Sequence, residues 1–188
     1  MGDIIPLVGE HLALDLVNTR PADGDLLATP DDLLAWLELQ AGRFSQARDL
    51  AAAGPTAAGL AAVRDLRDHT AQVLDHVRRG EEPPAGALDA LNRAQRAAPP
   101  ISELTWDGRA VTMTRRRTGP PAARPAAWLA EAAADLLADP AVVKVRQCEA
   151  HDCVMLFLPA HPRRRWCSAT RCGNRVRVAR HYQRHKPV

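Results

Sequence analysis

A chain of 188 residues, 46% of them hydrophobic, can bury a core of its own, which excludes a disordered polypeptide. The net charge of +3 hides an asymmetry: His161 to Val188 holds nine Arg or Lys residues and no acid, while the preceding 160 residues carry sixteen basic and twenty-two acidic groups. An acidic body with a basic tail points to a polyanionic partner for the tail, and the absence of an apolar run long enough for secretion or for a membrane span sets the expectation of a cytoplasmic protein.

The elements read in order as follows. Glu10 to Thr19 places Leu12, Ala13, Leu16 and Val17 at helical spacing. Arg20 to Pro30, rich in Pro, Asp and Gly, is a loop. Thr29-Pro30 opens a second helix, with Thr29 as its cap and Pro30 at its first position, and Gly42 stops it. A short helix follows over Ser45 to Ala53. A long one then runs from about Thr56 to Arg79, with Leu60, Val63, Leu66, Thr70, Val73, Leu74 and Val77 on one face. Gly80 to Pro84 breaks the chain before a helix over Ala85 to Ala98. Glu103–Trp106 and Ala110–Thr114 are β-prone around Asp107-Gly108, a hairpin signal. Pro120 to Pro125 is a linker and Pro125 to Ala138 a helix. Val142 to Arg146 reads as a strand leading to the first cysteine. The fold class is mainly α with a small β-hairpin: a helical body over residues 1–139 and a compact module over residues 140–188.

The cysteines pair by spacing: Cys148-x4-Cys153, thirteen residues, Cys167-x4-Cys172. Thiolate is among the best ligands for tetrahedral zinc, and two such pairs close its shell. Four thiolates leave no open position for water, so the ion is structural rather than catalytic. Two disulfides would need an oxidising compartment; His151 or His161 in place of one cysteine is the other alternative. Val154 to Leu158 suits a short hairpin carrying the first pair. Ser168 to Lys186 reads as a helix with the second pair at and just inside its start, where oriented N–H groups favour thiolate. The result is similar to a treble-clef or zinc-ribbon-like four-cysteine finger ending in a basic helix.

Arg165-Trp166-Cys167-Ser168 followed by Cys172-Gly173-Asn174-Arg175, with Phe157 after the first pair, resembles the signature of the CGNR zinc-finger family. Leu12-Ala13-Leu14-Asp15-Leu16-Val17-Asn18-Thr19 and the helix over Asp31 to Gly42 resemble the ABATE domain that accompanies this finger. The resemblance implies a stress-responsive transcription regulator with a DNA-binding C-terminus.

On a helical projection Arg177, Arg180 and Arg184 share a stripe with His181 at its edge, while Val178, Ala179 and Tyr182 lie on a side able to pack on the finger. With Arg163, Arg164, Arg165 and Arg171 they make the candidate DNA-binding set, through phosphates and one or two guanine edges. A solvated basic face, or docking on the acidic body or on a partner, is the competing reading of that charge. Asn174 and Arg175 adjoin the last ligand; Asn174 is expected to satisfy backbone groups near the metal and Arg175 to brace the hairpin. Trp166 is expected in the core of the small module.

His11, Asp15 and Asn18 share a helix face that ends at Thr19. They form either a polar outer face with Asn18 as C-terminal cap, or the lining of a pocket for a small effector. No phosphate loop, nucleophile elbow or His-Glu-x-x-His motif is present. His69 and His76, with Asp65, Asp68 and Asp75, read as the solvent side of an amphipathic helix, so no enzyme is expected. The expected partners are duplex DNA, an unidentified effector and a second copy of the chain, since one finger reads few base pairs. The alternative is a zinc-stabilised interaction module whose basic tail binds an acidic protein or RNA.

Overall fold

The computed structural model of the chain describes residues 9–184, with side chains for all of these except 180, 181, 183 and 184. Seven α-helices and two two-stranded sheets make up the described residues. The order is α1 (Leu12–Val17), α2 (Pro30–Gln40), α3 (Ser45–Ala53), α4 (Ala57–Arg79), α5 (Ala85–Ala97), β1 (Pro100–Trp106), β2 (Val111–Arg117), α6 (Arg124–Ala138), β3 (Arg146–Gln147), β4 (Leu156–Phe157) and α7 (Asn174–Arg184). None of the helices is long and apolar enough to cross a membrane.

Local chemistry sets the helix ends. Thr29 accepts a hydrogen bond from the Asp32 amide while Asp32 accepts from the Thr29 amide, a capping box with Pro30 at the first position. Thr56 caps α4 through the Gly59 amide. Gly80 ends α4 in the left-handed conformation. The core gathers around α6, which packs against α1, α3, α4 and α5 and buries Trp128, Leu129, Ala130, Ala133 and Leu136. Opposite it lie Leu14, Leu16, Leu33, Trp36, Val63 and Leu74.

β1 and β2 pair antiparallel from Pro100 opposite Arg117 to Trp106 opposite Val111. The Asp107 carboxylate closes the turn by accepting from the amides of Arg109 and Ala110, both at 2.8 Å. At the other end Gly119 passes so close to the end of α5 that a Cβ there would stand 2.3 Å from the Ala97 carbonyl oxygen, and only glycine fits.

Val142 to Arg146 departs from the expected strand. Residues Pro140–Lys144 form a 3₁₀ helix, capped by the Asp139 carboxylate on the Ala141 amide at 2.7 Å, and β3 is only Arg146–Gln147. Asp-Pro is a helix-start signal, and it overrides the β preference of the three valines. The turn delivers Val142 and Val145 into the core of the body, and Leu156 of β4 joins the same cluster. The connection is therefore part of the body's packing.

Candidate metal centre and its basic face

β3 and β4 form the first knuckle. Gln147 pairs with Leu156, the Cys148 amide donates to the Met155 carbonyl at 2.9 Å, and the Cys153 amide donates to Ala150 at 3.1 Å. Asp152 takes a positive φ of 59° to close so tight a turn, a conformation that Asp tolerates better than most residues. The second pair lies at the start of the last helix. Ser168 caps a π-type turn over Ala169–Gly173 that carries Cys172, and α7 continues from it. Cys167 immediately precedes the cap.

All four Sγ atoms lie within 4.8 Å of one another. Cys153 and Cys167 are 3.8 Å apart, Cys167 and Cys172 3.5 Å, and Cys172 and Cys153 3.8 Å. Sulfurs about 2.3 Å from a common tetrahedral centre stand about 3.8 Å apart, so the cluster has the dimensions of a zinc tetrathiolate. Burial pushes the Cys153 thiol up to about 11, with the neighbouring sulfurs of Cys148 and Cys172 adding to the rise. Burial likewise drives Cys167 far upward. Cys148 goes the other way: against its burial, hydrogen bonds from the backbone at Cys167 and Ala150 bring it below the usual thiol value. The two thiols that resist ionisation, Cys153 and Cys167, become tolerable as thiolates once a dication neutralises the cluster.

Around the sulfurs is a small core of Phe157, fully buried, with Ala150, Trp166 and Val176. Trp166, expected in the core, is half-buried at the edge of this cluster: it lies against Gly173, where a Cβ would come within 3.3 Å of the indole. Arg175 donates to the His151 carbonyl at 3.0 Å and points at Cys172 Sγ at 3.8 Å, so it ties the first knuckle to the helix carrying the second. The side chain of Asn174 does not satisfy backbone groups near the metal. It is exposed, and its Oδ1 accepts from Arg177 at 2.7 Å.

The seven arginines proposed for DNA separate into groups. Arg164 is structural: it donates to the carbonyls of Trp166 and Cys167 at 3.1 and 2.7 Å, pairs with Glu10 at 2.6 Å, and stacks 4.4 Å over Phe157. Arg177 is folded back on the start of its own helix, reaching the carbonyls of Gly173 and Ala169 as well as Asn174. Arg165 pairs with Glu149 at 2.5 Å in an exposed position. Arg163, exposed, and Arg171, half-buried, have no acidic partner among the described residues. The side chains of Arg180 and Arg184 lie outside the described residues, as do the side chain of His181 and the expected last turn to Lys186. Of the residues expected to pack on the finger, Val178 and Ala179 are exposed, Val178 at 53%, and Tyr182 is 71% exposed. Val176 is the residue of α7 that packs against the cysteine cluster.

The His11, Asp15, Asn18 and Thr19 set is not the outer face that its spacing allows: Asp15, Asn18 and Thr19 are buried and His11 is half-buried. Asp15 is fully buried, and accepts from the amides of Gly9 and Glu10 at 3.3 and 3.0 Å, from Gln40 at 3.3 Å, and from Arg43. Burial raises its carboxyl above the ordinary value against the pull of these donors. Asn18 bonds both backbone groups of Leu156, donating to its carbonyl and accepting from its amide, each at 2.8 Å. Its carboxamide extends β4 as a further strand residue does. Thr19 accepts from Arg67 at 3.1 Å, and Arg67, 1% exposed, makes two 2.7 Å bonds to Asp25. His11 caps α1 through Nδ1, accepting from the Ala13 amide at 3.3 Å; burial lowers its pKa.

Glu10, just before α1, and Asn18, just after it, thus clasp the metal module to the body: Glu10 also accepts from the Leu158 amide at 3.1 Å. Nothing in the spacing of Arg163-Arg164-Arg165 marks the middle arginine as the one turned inward. For Asp15 and Asn18 a signal existed: α1 is apolar on every side, so polar groups within it must be satisfied inside the protein.

A four-thiolate finger joined to a helical body defines a class of small zinc-stabilised, two-part proteins. The sequence pattern of the ABATE family, described as "Putative stress-induced transcription regulator", matches residues 10–140, and that of the CGNR zinc finger matches residues 144–185. The chain belongs to the ABATE family and carries a CGNR zinc finger that holds one structural zinc ion through Cys148, Cys153, Cys167 and Cys172. No curated protein matches the chain.

Proposed function

We propose that this protein is a cytoplasmic transcription regulator that binds duplex DNA through the basic face of its zinc module. The observation that carries the reading is charge of one sign on a metal-fixed platform: no acid follows Asp152, and Arg163 and Arg171 have no acidic partner among the described residues. Arg164 and Arg177 are withdrawn from the contact set by their internal bonds. Arg165 stays in it, because an exposed pair with Glu149 is worth little and exchanges readily for phosphate. With Arg163, Arg165, Arg171, Arg180 and Arg184, about five phosphate contacts give a log–log salt slope near about −4.5. Titration of a labelled random duplex with the zinc-loaded chain across a salt series tests this. Arg163→Ala with Arg171→Ala should flatten the slope by about 1.8. No binding at low salt overturns the reading. Equal competition by an acidic protein or by RNA favours the interaction-module alternative.

The proposal is one of binding and not of catalysis. His69 lies 3.6 Å from Asp65 on the same helix, and His76 bonds the Gln72 carbonyl, contacts that fit residues of an amphipathic helix. A small effector is assigned to a cavity of about 730 Å³ beside the start of α4 and the base of the hairpin, with Leu50, Ala53, Pro55, Thr56, Arg115 and Arg124 among its lining residues. That volume is in the range of small-molecule sites; Arg116 and Arg117 are paired with Glu103 and Glu131, and Arg115 and Arg124 outnumber the remaining acid of the lining, Asp49, which favours an anionic ligand. Thermal-shift screening of metabolite anions, with Arg124→Ala as the control that loses the shift, checks this assignment.

A further inference from the structure

The β1–β2 hairpin has two unlike faces. One carries the cross-strand pairs Ser102–Arg115, Leu104–Met113 and Trp106–Val111; the other carries Ile101–Arg116, Glu103–Thr114 and Thr105–Thr112. The second face is satisfied within the hairpin: Glu103 pairs with Arg116 at 3.2 Å and the two threonine hydroxyls bond at 2.8 Å. The first face is bare. Leu104 is 70% exposed, Trp106 66%, Val111 64% and Met113 63%. Four large apolar side chains in one patch, at the end of an arm whose strands pair only with each other, are uncommon on a monomer. A two-stranded sheet alone is also marginal in water, and a covering layer would stabilise it.

We infer that this face is a homodimer interface, with the hairpins of two copies packed apolar face to apolar face in opposite directions about a two-fold axis at the Leu104–Met113 pair. The order of side chains along the face is what selects a second copy. Reversal about that pair sets Leu104 and Met113 on their own counterparts. It sets the aromatic end, Trp106 with Val111, over the cationic end, Ser102 with Arg115, of the other copy. An arginine within reach of an indole is a favourable partner, and every contact occurs twice, as an isologous interface requires. A nucleic-acid strand fits the face less well, because Arg115 is its only cation beyond the base pair Pro100–Arg117, where Arg117 is bound to Glu131 and the Ala98 carbonyl. The patch spans a few hundred Å² per copy, at the low end for specific interfaces, so the dimer depends on concentration.

Sedimentation equilibrium of the full zinc-loaded chain, without nucleic acid, tests the inference independently of DNA binding. The expected result is a monomer–dimer equilibrium that Leu104→Lys with Met113→Lys weakens by at least about thirty-fold, the loss of a central contact. Zinc content should be unchanged, and so should the melting temperature at concentrations where both chains are monomeric, since both side chains are largely exposed in the single copy. Trp106→Glu should act in the same direction. A chain that stays monomeric at every concentration overturns the inference, as does a dimer indifferent to these variants. A monomer whose hairpin amides gain hydrogen-exchange protection only when duplex DNA is added also overturns it, making the hairpin a nucleic-acid arm instead.

Discussion

The helical body and the zinc module are neighbours in one fold, held by different forces. The body buries a continuous set of Leu, Val, Ala and Trp side chains from six helices. The module's own cluster is Phe157 and Ala150 with two of the cysteines, edged by Trp166 and Val176. Apolar burial suffices for the first and falls short for the second, where the ion supplies what a core of that size cannot. The difference teaches that one chain can answer to two unrelated stresses: heat and denaturant act on the body, chelation and thiol oxidation on the module.

Removing the metal separates the two regions most sharply. Structural zinc contributes on the order of 10–16 kcal/mol in small fingers, so chelation or Cys172→Ser should abolish hydrogen-exchange protection over residues 146–184. Residues 30–138 should stay protected, and a body that unfolds at the same chelator concentration would sink the comparison. The converse perturbation is Leu129→Ala, in a fully buried site on α6. It should cost about 4 kcal/mol in denaturant unfolding while one zinc per chain is retained below the transition. Asn18→Ala attacks the joint: it strands the buried amide and carbonyl of Leu156, costing about 3 kcal/mol, and should speed zinc loss to a chelator. Unaltered zinc release would mean that the two regions are independent after all.

The smallest effect sharpens the body's side of the comparison. The hydrogen bonds of Arg67 hold the Asp25 carboxyl at about 2, below its ordinary 3.8. A depressed folded-state value stabilises above the unfolded pKa and is lost as pH falls. About 2 kcal/mol is therefore present above about pH 4 and disappears toward pH 2. Because acid also releases zinc, the test uses denaturant unfolding of the Cys172→Ser chain across this range, with Asp25→Asn expected to reduce the slope by the Asp25 share, while the lowered Asp32 keeps its own.

Much of this architecture is legible in the residues. Apolar periodicity and the Thr29 and Thr56 caps locate the helices, Asp107-Gly108 locates the hairpin, and cysteine spacing locates the metal, because each is a local signal. Val142 to Arg146 misleads, since three valines argue for a strand while Asp139-Pro140 starts a helical turn, and burial of Val142 and Val145 decides between them. The polar groups of α1 and the inward arginines mislead for another reason. Whether Asn18 meets solvent or the Leu156 backbone, and whether Arg164 meets phosphate or Glu10, depends on segments 138 and 154 residues away. No spacing rule reaches that far.

The 3₁₀ turn after α6 bears on how a signal could travel. With Val142 and Val145 sunk into the body, the joint has no slack, and the finger is not a tethered weight free to swing. A shift in the packing around α6 would tilt the finger as a lever, and α7, about 16 Å long over its eleven residues, would magnify that tilt at its far end.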